Sequence, residues 1–136
     1  MSDVLGKIPI RKFEPKTAKP GKEVARKIEL RNKIRRVRCN LPEIRRKCKG
    51  KNVNLKIKFF LSKERIEDQS KYNKDLDNLL KITLDVLPKY MDKNEVNKGL
   101  GIIEDDNSVY AIHAEKILVG KDDQQGIDIE ISEWRN

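Results

Sequence analysis

Apolar and polar positions alternate with a two-residue period in four parts of the chain, which is typical of half-buried β-strands. The clearest is VNLKIKFFL at residues 53–61, where asparagine and lysine separate the apolar residues. Further strands are predicted at residues 4–13, 109–119 and 127–131. Pro9 has no backbone donor, so the first of these strands is expected at a sheet edge.

Two segments repeat their apolar residues every three or four positions, the period of an amphipathic helix. The first covers residues 22–49 and contains Pro42, where a kink or the start of a second helix is expected. The second covers residues 76–87 and stops at Pro88. Its helical geometry predicts a core stripe and an opposite exposed ridge. The stripe consists of Leu76, Leu80, Thr83 and Leu87, with Leu79 at its edge, and the ridge consists of Asp77, Lys81 and Asp85.

The order of these elements is β-α-β-α-β-β, which indicates an α+β domain with two helices packed on a mixed sheet. A chain of 136 residues is the size of one domain, so the whole of 1–136 is expected to fold as a single unit. No apolar run has the length of a membrane span or the form of a signal peptide. We therefore expect a protein of the cytoplasm.

The net charge of +9 comes from one segment. Residues 22–49 contain twelve lysines and arginines against three acids, and the rest of the chain is neutral. Concentrated positive charge favours nucleic acid or an anionic membrane surface. The apolar stripe of this segment lacks tryptophan and phenylalanine, which disfavours the membrane. Eight lysines and arginines are candidate DNA contacts, although a solvated helix face is the alternative: Arg26, Lys27, Arg31, Lys33, Arg35, Arg36 and Arg38, with Lys116 added below.

The second helix begins at the acidic stretch KDLDNLLK, residues 74–81. The simplest interpretation is structural, with Asp75 or Asp77 capping the helix and Asp77 pairing with Lys81. Within a helix the two aspartates would diverge by about 160°, because successive residues turn by 100°. They converge only if Asp75 is still extended, at or before the N-cap.

A second acidic pair, Asp105 and Asp106, follows an apolar run in GIIEDDNSV. A turn is one explanation, because Asp, Asn and Ser all favour turns. The other explanation places one of these carboxylates beside Asp75 and Asp77. Three oxygen ligands there would bind Mg²⁺ or Mn²⁺, and a lysine nearby could stabilise charge developing on a phosphate. Metal, water and lysine together are the parts of a phosphodiesterase.

The segments KDLDNLLKITLDVL and LGIIEDDNSVYAIHAEKI, at residues 74–87 and 100–117, resemble the RusA family of Holliday-junction resolvases. The family pattern is Asp-x-Asp-Asn-x-x-Lys on a helix, then apolar residues leading into Asp-Asp, then a strand ending in lysine. Lys116 falls at this last position. The resemblance implies a RusA-like domain forming a homodimeric, Mg²⁺-dependent endonuclease, with Mn²⁺ as a substitute metal, that nicks opposing strands of a four-way DNA junction.

The resemblance also implies roles for individual residues. Three aspartates match the catalytic, metal-binding acids of the family: Asp75, Asp77 and Asp106. Lys81 matches its catalytic lysine, Asn78 has a supporting role, and Asp105 is an alternative metal ligand. The partner is then branched DNA in recombination and repair at the nucleoid. Neither a membrane nor a small-molecule cofactor is expected.

The remaining residues with chemical potential are expected to be structural. The cysteines Cys39 and Cys48 form no CxxC motif and are expected to be reduced and half-buried. A single histidine, His113, is a poor metal signature, and Trp134 is expected in packing or a dimer contact. Two rival functions stay open beside the resolvase: a nuclease acting on other branched DNA or on RNA, and a basic protein that binds nucleic acid or another protein without catalysis.

Overall fold

A four-stranded mixed sheet carries the α-helices of this protein on one face. The computed structural model describes residues 4–16, 20–63 and 75–135. Within those residues the fold is α+β, with three α-helices, and its order is β-α-α-β-α-β-β. The elements are β1 (Val4–Arg11), α1 (Glu23–Arg36), α2 (Leu41–Cys48), β2 (Val53–Ser62), α3 (Leu76–Val86), β3 (Val109–Val119) and β4 (Gly126–Glu133).

The strands lie in the order β1-β4-β2-β3. β4 is antiparallel to both β1 and β2, whereas β2 and β3 are parallel. β1 is thus an edge strand, which confirms the expectation from Pro9. β3 forms the other edge.

The core lies between the helices and one face of the sheet. One row across the sheet joins Ile8, Ile129 and Ile57, which are at most 1% exposed, and continues to Ala114 on β3. The alternation seen in the sequence therefore assigns the buried face correctly, since side chains two residues apart share a face. On the opposite face, residues such as Lys56 stay exposed.

The basic helical segment is divided in two, and the second helix begins one residue before Pro42, as expected. α1 ends at Arg36, and α2 begins at Leu41 after an extended Val37. The side chain of Asn40 caps α2 by accepting a hydrogen bond from the backbone N–H of Glu43, at 3.2 Å. Pro42 lies in the first turn of α2. Backbone N–H groups in the first turn have no acceptor within the helix, so the absence of an N–H in proline removes no helical hydrogen bond.

The buried face of α3 is the expected stripe rotated towards the edge at Leu79. Leu79, Thr83 and Leu87 are buried as expected and Val86 is buried with them, whereas Leu76 and Leu80 are half-buried. The periodicity was compatible with both faces, and packing against α1 and the sheet selects between them. The Thr83 hydroxyl is satisfied within the helix, since it donates to the carbonyl of Leu79 at 2.9 Å.

The long connection between α3 and β3 is fastened to the end of the helix. The backbone N–H of Leu100 donates to Val86 at 2.8 Å, and that of Ile102 donates to Leu87 at 2.8 Å. Gly99 has to be glycine here, because a Cβ would lie 2.1 Å from the carbonyl oxygen of Pro88. Arg45 of α2 holds the connection from the other side, with its Nε donating to the carbonyl of Leu100 at 2.7 Å.

Candidate functional site

The first acidic position, Asp75, lies just outside α3. It is the N-cap residue, with an extended backbone at φ −68° and ψ 128°. Its carbonyl accepts the first helical hydrogen bond, from Leu79 at 3.0 Å, but its side chain makes no capping bond. The carboxylate of Asp75 is exposed and forms no capping hydrogen bond, so it can favour the helix only through its charge near the positive end.

The remaining motif residues of α3 project into solvent. Asp77, Asn78 and Lys81 are all exposed. In the described part of the chain, Asp77 and Lys81 form no ion pair with each other, in contrast to the structural interpretation of this motif. A carboxylate, an amide and an ammonium group are therefore presented together on the first two turns of one helix.

The second acidic pair divides into two different roles. Asp105 is an extended cap whose Oδ1 accepts a hydrogen bond from the backbone N–H of Asn107 at 2.7 Å. Asp106 begins the short 3₁₀ turn Asp106–Ser108 that leads into β3. Both residues are exposed. Because Asp105 shapes the turn, Asp106 is the member of the pair whose carboxylate is left for a ligand.

An acidic cleft of about 700 Å³ lies where the connection returns past the end of α3. Six acidic side chains contribute to its lining: Asp85, Asp92, Glu95, Glu104, Asp105 and Asp106. Lys89 and Lys93 are the lysines among its lining residues. Asp85 was expected on an exposed ridge, and its place in this cleft was missed. The sequence does contain a signal for this place: Asp85 lies three residues before Pro88, where the helix ends.

The cleft joins Asp105 and Asp106 to the last turn of α3, while Asp75 and Asp77 belong to its first turn. Asp85 follows Asp75 by ten residues, which corresponds to about 15 Å along a helix axis. Among residues 4–16, 20–63 and 75–135, no three histidine, cysteine or acidic side chains are close enough to enclose a metal ion. We therefore derive no catalytic step through a metal from this arrangement.

The donor set itself suits Mg²⁺ when the substrate completes the coordination. Mg²⁺ prefers oxygen ligands and is usually held by one or two carboxylates together with phosphate oxygens and water. Asp75 and Asp77 offer two exposed carboxylates at the start of α3, and Asp106 offers one at the other end.

Arg26 is a correction to the expected basic face, because its side chain is buried. Its exposure is 6%, and its guanidinium donates to the carbonyls of Glu14 and Lys16 and to the carboxylate of Glu29. The same group lies 4.6 Å from the ring centroid of Phe13. Burial lowers the pKa of this guanidinium. Arg26 fastens the loop after β1 to α1 and is not presented to a phosphate.

Lys27 is likewise turned towards the protein. Its ammonium group pairs with Asp85 of α3 at 2.8 Å, and the two side chains are only 18% and 26% exposed. Arg31 is half-buried and donates to the carbonyl of Lys98 at 2.9 Å. Lys33 is half-buried as well.

The exposed bases among the candidate contacts of the basic segment lie at the end of α1 and in the turn after it. Arg35, Arg36 and Arg38 are all exposed. We call these three residues the arginine patch. Lys116, the remaining candidate contact, is exposed but lies apart from the patch on β3.

The residues expected to be structural are found in packing or on the surface. Trp134 stacks at a tilt against Tyr110, with ring centroids 4.9 Å apart. His113 is exposed on β3. Both cysteines are free, and burial raises the pKa of Cys48 to about 11, so its thiol stays protonated at neutral pH.

Comparison of the chain with protein-family models, with curated proteins and with solved structures gives no match. None of the helices in the described ranges combines the length and apolar character needed to cross a bilayer.

Proposed function

We propose that this protein is a Mg²⁺-dependent endodeoxyribonuclease that cuts branched DNA, with the four-way junction as its substrate. The observation that carries the proposal is the state of the DLDN motif at the start of α3. Asp75 is extended outside the helix and makes no capping bond, so its carboxylate is available beside the motif's other polar groups. A helix that used these acids only for its own stability would engage them in caps or ion pairs.

The resemblance gives each motif residue a role. Asp75 and Asp77 would hold the metal together with oxygens of the substrate phosphate, and the metal when bound would supply an activated water and neutralise phosphate charge. The third matched acid, Asp106, lies at the other end of α3 and is not placed beside them. Lys81 lies one turn after Asp77 on α3 and is exposed, so its ammonium can approach a phosphate oxygen and stabilise charge that develops there. Asp105 keeps the turn in shape, and Asn78 offers an amide to the same surface.

The arginine patch supports a polyanionic substrate. Arg35, Arg36 and Arg38 are exposed on a segment that carries the whole net charge of the protein. Positive charge of this density acts mainly on phosphate groups, and it raises affinity without reading sequence. Symmetric nicking of a junction requires two copies of the site, which a homodimer would supply.

A cleavage assay on a mobile four-way junction, with and without Mg²⁺, tests the proposal directly. Linear duplex, flap and RNA substrates of equal length are the controls for substrate class. Junction cleavage that needs Mg²⁺ and exceeds cleavage of every control supports the resolvase. Equal cleavage of flaps or RNA would instead support a nuclease of broader substrate range. Tight, salt-dependent binding with no cleavage of any substrate would contradict catalysis and support a binding protein.

A further inference from the structure

The outer edge of β3 is long and regular. β3 covers eleven residues, Val109–Val119, and pairs on one side with β2. Within the described chain nothing pairs with its other side. The only irregularity lies at its start, where the register skips Tyr110. From Ala111 onward the strand continues to its end without a break, and it contains neither proline nor glycine.

The opposite edge of the sheet is protected in ways that β3 is not. β1 contains Pro9 and has a register shift between Val4 and Gly6. Prolines, bulges and charged side chains are among the means by which proteins prevent an edge strand from pairing with another chain. β3 lacks proline and bulge over its regular part, and among the described residues no strand pairs with its outer edge. Lys116 is the charged residue that shares a face with Ile112 and Leu118.

The side chains of β3 also look like those of a strand with a missing neighbour. Ile112 and Leu118 are 42% and 53% exposed, although they pair with Leu55 and Leu61 of β2, which are completely buried. The helices thus cover β2 but leave the apolar residues of β3 uncovered. Tyr110, at 54% exposure, adds a third large side chain on the same strand.

We infer that β3 pairs with β3 of a second copy of this chain, antiparallel and centred on Ala114, to form one continuous sheet across a homodimer. A two-fold axis perpendicular to the sheet keeps each face on its own side, so only residues of the same face can oppose each other. With Ala114 on the axis, His113 of each copy lies opposite Glu115 of the other. The pairing also brings Leu118 of each copy towards Tyr110 of the other.

The side chains of His113 and Glu115 favour this register over the two registers whose axis lies one residue earlier or later. His113 and Glu115 already lie 3.9 Å apart within one chain, on the face away from the helices. Pairing about Ala114 places the imidazole of each His113 beside the carboxylate of Glu115 of the other copy, where it can donate a hydrogen bond. A two-fold axis at His113 would oppose two histidines, and an axis at Glu115 would oppose two carboxylates, which is unfavourable. The small Ala114 side chain also allows close approach at the axis.

This interface rests on the edge of β3 and not on the proposed nuclease chemistry. It deepens that proposal by naming the surface through which a second copy of the site would be supplied. All the tests below read oligomeric state in the absence of DNA, so their failure leaves the cleavage assay as an independent measurement.

Cysteine cross-linking tests the register. Direct antiparallel neighbours have Cβ atoms about 4.5–5.5 Å apart. Ala114→Cys should therefore cross-link to its copy with a bis-maleimide of short reach. Ile112→Cys is the matched control. In this register position 112 of one copy lies opposite position 116 of the other, so the two cysteines at position 112 are four residues apart along the strand, about 13 Å. The unmodified chain, with its own Cys39 and Cys48, gives the background.

Charge exchange tests the pairing of His113 with Glu115. Glu115→Lys should weaken dimerisation by about tenfold, because two hydrogen-bonding contacts of His113 with Glu115 are lost at each interface. The double variant His113→Glu with Glu115→Lys restores opposite charges and should recover affinity to within about threefold of the original. Sedimentation equilibrium measures the dissociation constants, and circular dichroism verifies that each variant is folded.

Three results would overturn the inference. They are a monomer at all accessible protein concentrations, cross-linking of Ile112→Cys as efficient as that of Ala114→Cys, and a folded double variant that dimerises no better than Glu115→Lys alone.

Discussion

The ammonium group of Lys27 on α1 lies 2.8 Å from the carboxylate of Asp85 on α3. This contact joins the basic segment to the helix that carries the acidic motif. Because the two groups bind each other, neither has the role that its position in the sequence suggested. Lys27 was a candidate phosphate contact, and Asp85 was expected on an exposed ridge.

The first prediction concerns that ion pair. Lys27→Met should lower the free energy of unfolding by about 1 kcal/mol, since the pair is partly shielded from solvent but not fully buried. Urea denaturation of Lys27→Met, Asp85→Asn and the double variant should give a coupling energy of about 0.5–1.5 kcal/mol. A coupling energy near zero would mean that the contact contributes nothing to stability.

The second prediction separates Asp106 from Asp105. Asp106→Asn should abolish Mg²⁺-dependent cleavage while junction binding is kept or becomes tighter, because one negative charge near the phosphate is lost. Asp105→Asn is the matched control, because an asparagine oxygen can still accept the hydrogen bond from Asn107 and hold the turn. Loss of cleavage in Asp105→Asn alone would reverse the assignment of the ligand.

The third prediction tests the DLDN motif for a catalytic rather than a structural role. Asp77→Asn should abolish cleavage, and Asp75→Asn should do so without changing the thermal midpoint, because the Asp75 side chain makes no capping bond. Activity is measured with the four-way junction and stability by circular dichroism. Full activity of Asp77→Asn would exclude the proposed mechanism.

The fourth prediction concerns the arginine patch. Replacing Arg35, Arg36 and Arg38 by alanine should reduce the slope of log affinity against log salt by about 2–3, since each phosphate contact contributes about 0.9. The matched control replaces Lys7, Lys56 and Lys58 on the open face of the sheet, which changes the net charge equally. An equal effect of both triple variants would show that overall charge, not the patch, determines binding.

The fifth prediction concerns Asp92 in the connection. Its carboxylate accepts hydrogen bonds from the backbone of Val96 and from Asn97, and these bonds lower its pKa. A lowered pKa contributes stability that is complete above the ordinary value of 3.8 and is lost as the pH falls through the folded value. Asp92→Ala should therefore lower the urea midpoint at pH 7. The difference from the unmodified protein should shrink as the pH is lowered below 3.8, and a difference independent of pH would contradict the role of the charge.

Arg26 illustrates a limit of sequence interpretation. It follows the same helical spacing as its basic neighbours, yet it is buried between α1 and the loop that follows β1. Nothing local distinguishes it from Arg36, because the backbone carbonyls that receive its guanidinium belong to residues ten and twelve positions earlier. Periodicity predicts the face of a helix, but not which loop will fold over that face.

Local patterns along the chain predict the four strands, the helix before Pro88 and the edge position of β1. Alternation of period two predicted β2 and β3 to within a residue, and Pro9 predicted the edge, because these signals depend only on local backbone geometry. The sequence also made an extended Asp75 the condition for the carboxylates of Asp75 and Asp77 to converge. Only the tertiary structure decided the rotation of α3, the pairing of Lys27 with Asp85, and the cleft that Asp106 shares with Asp85. Those relationships join residues far apart in the chain, and packing between elements, not local propensity, selects among the arrangements that the pattern permits.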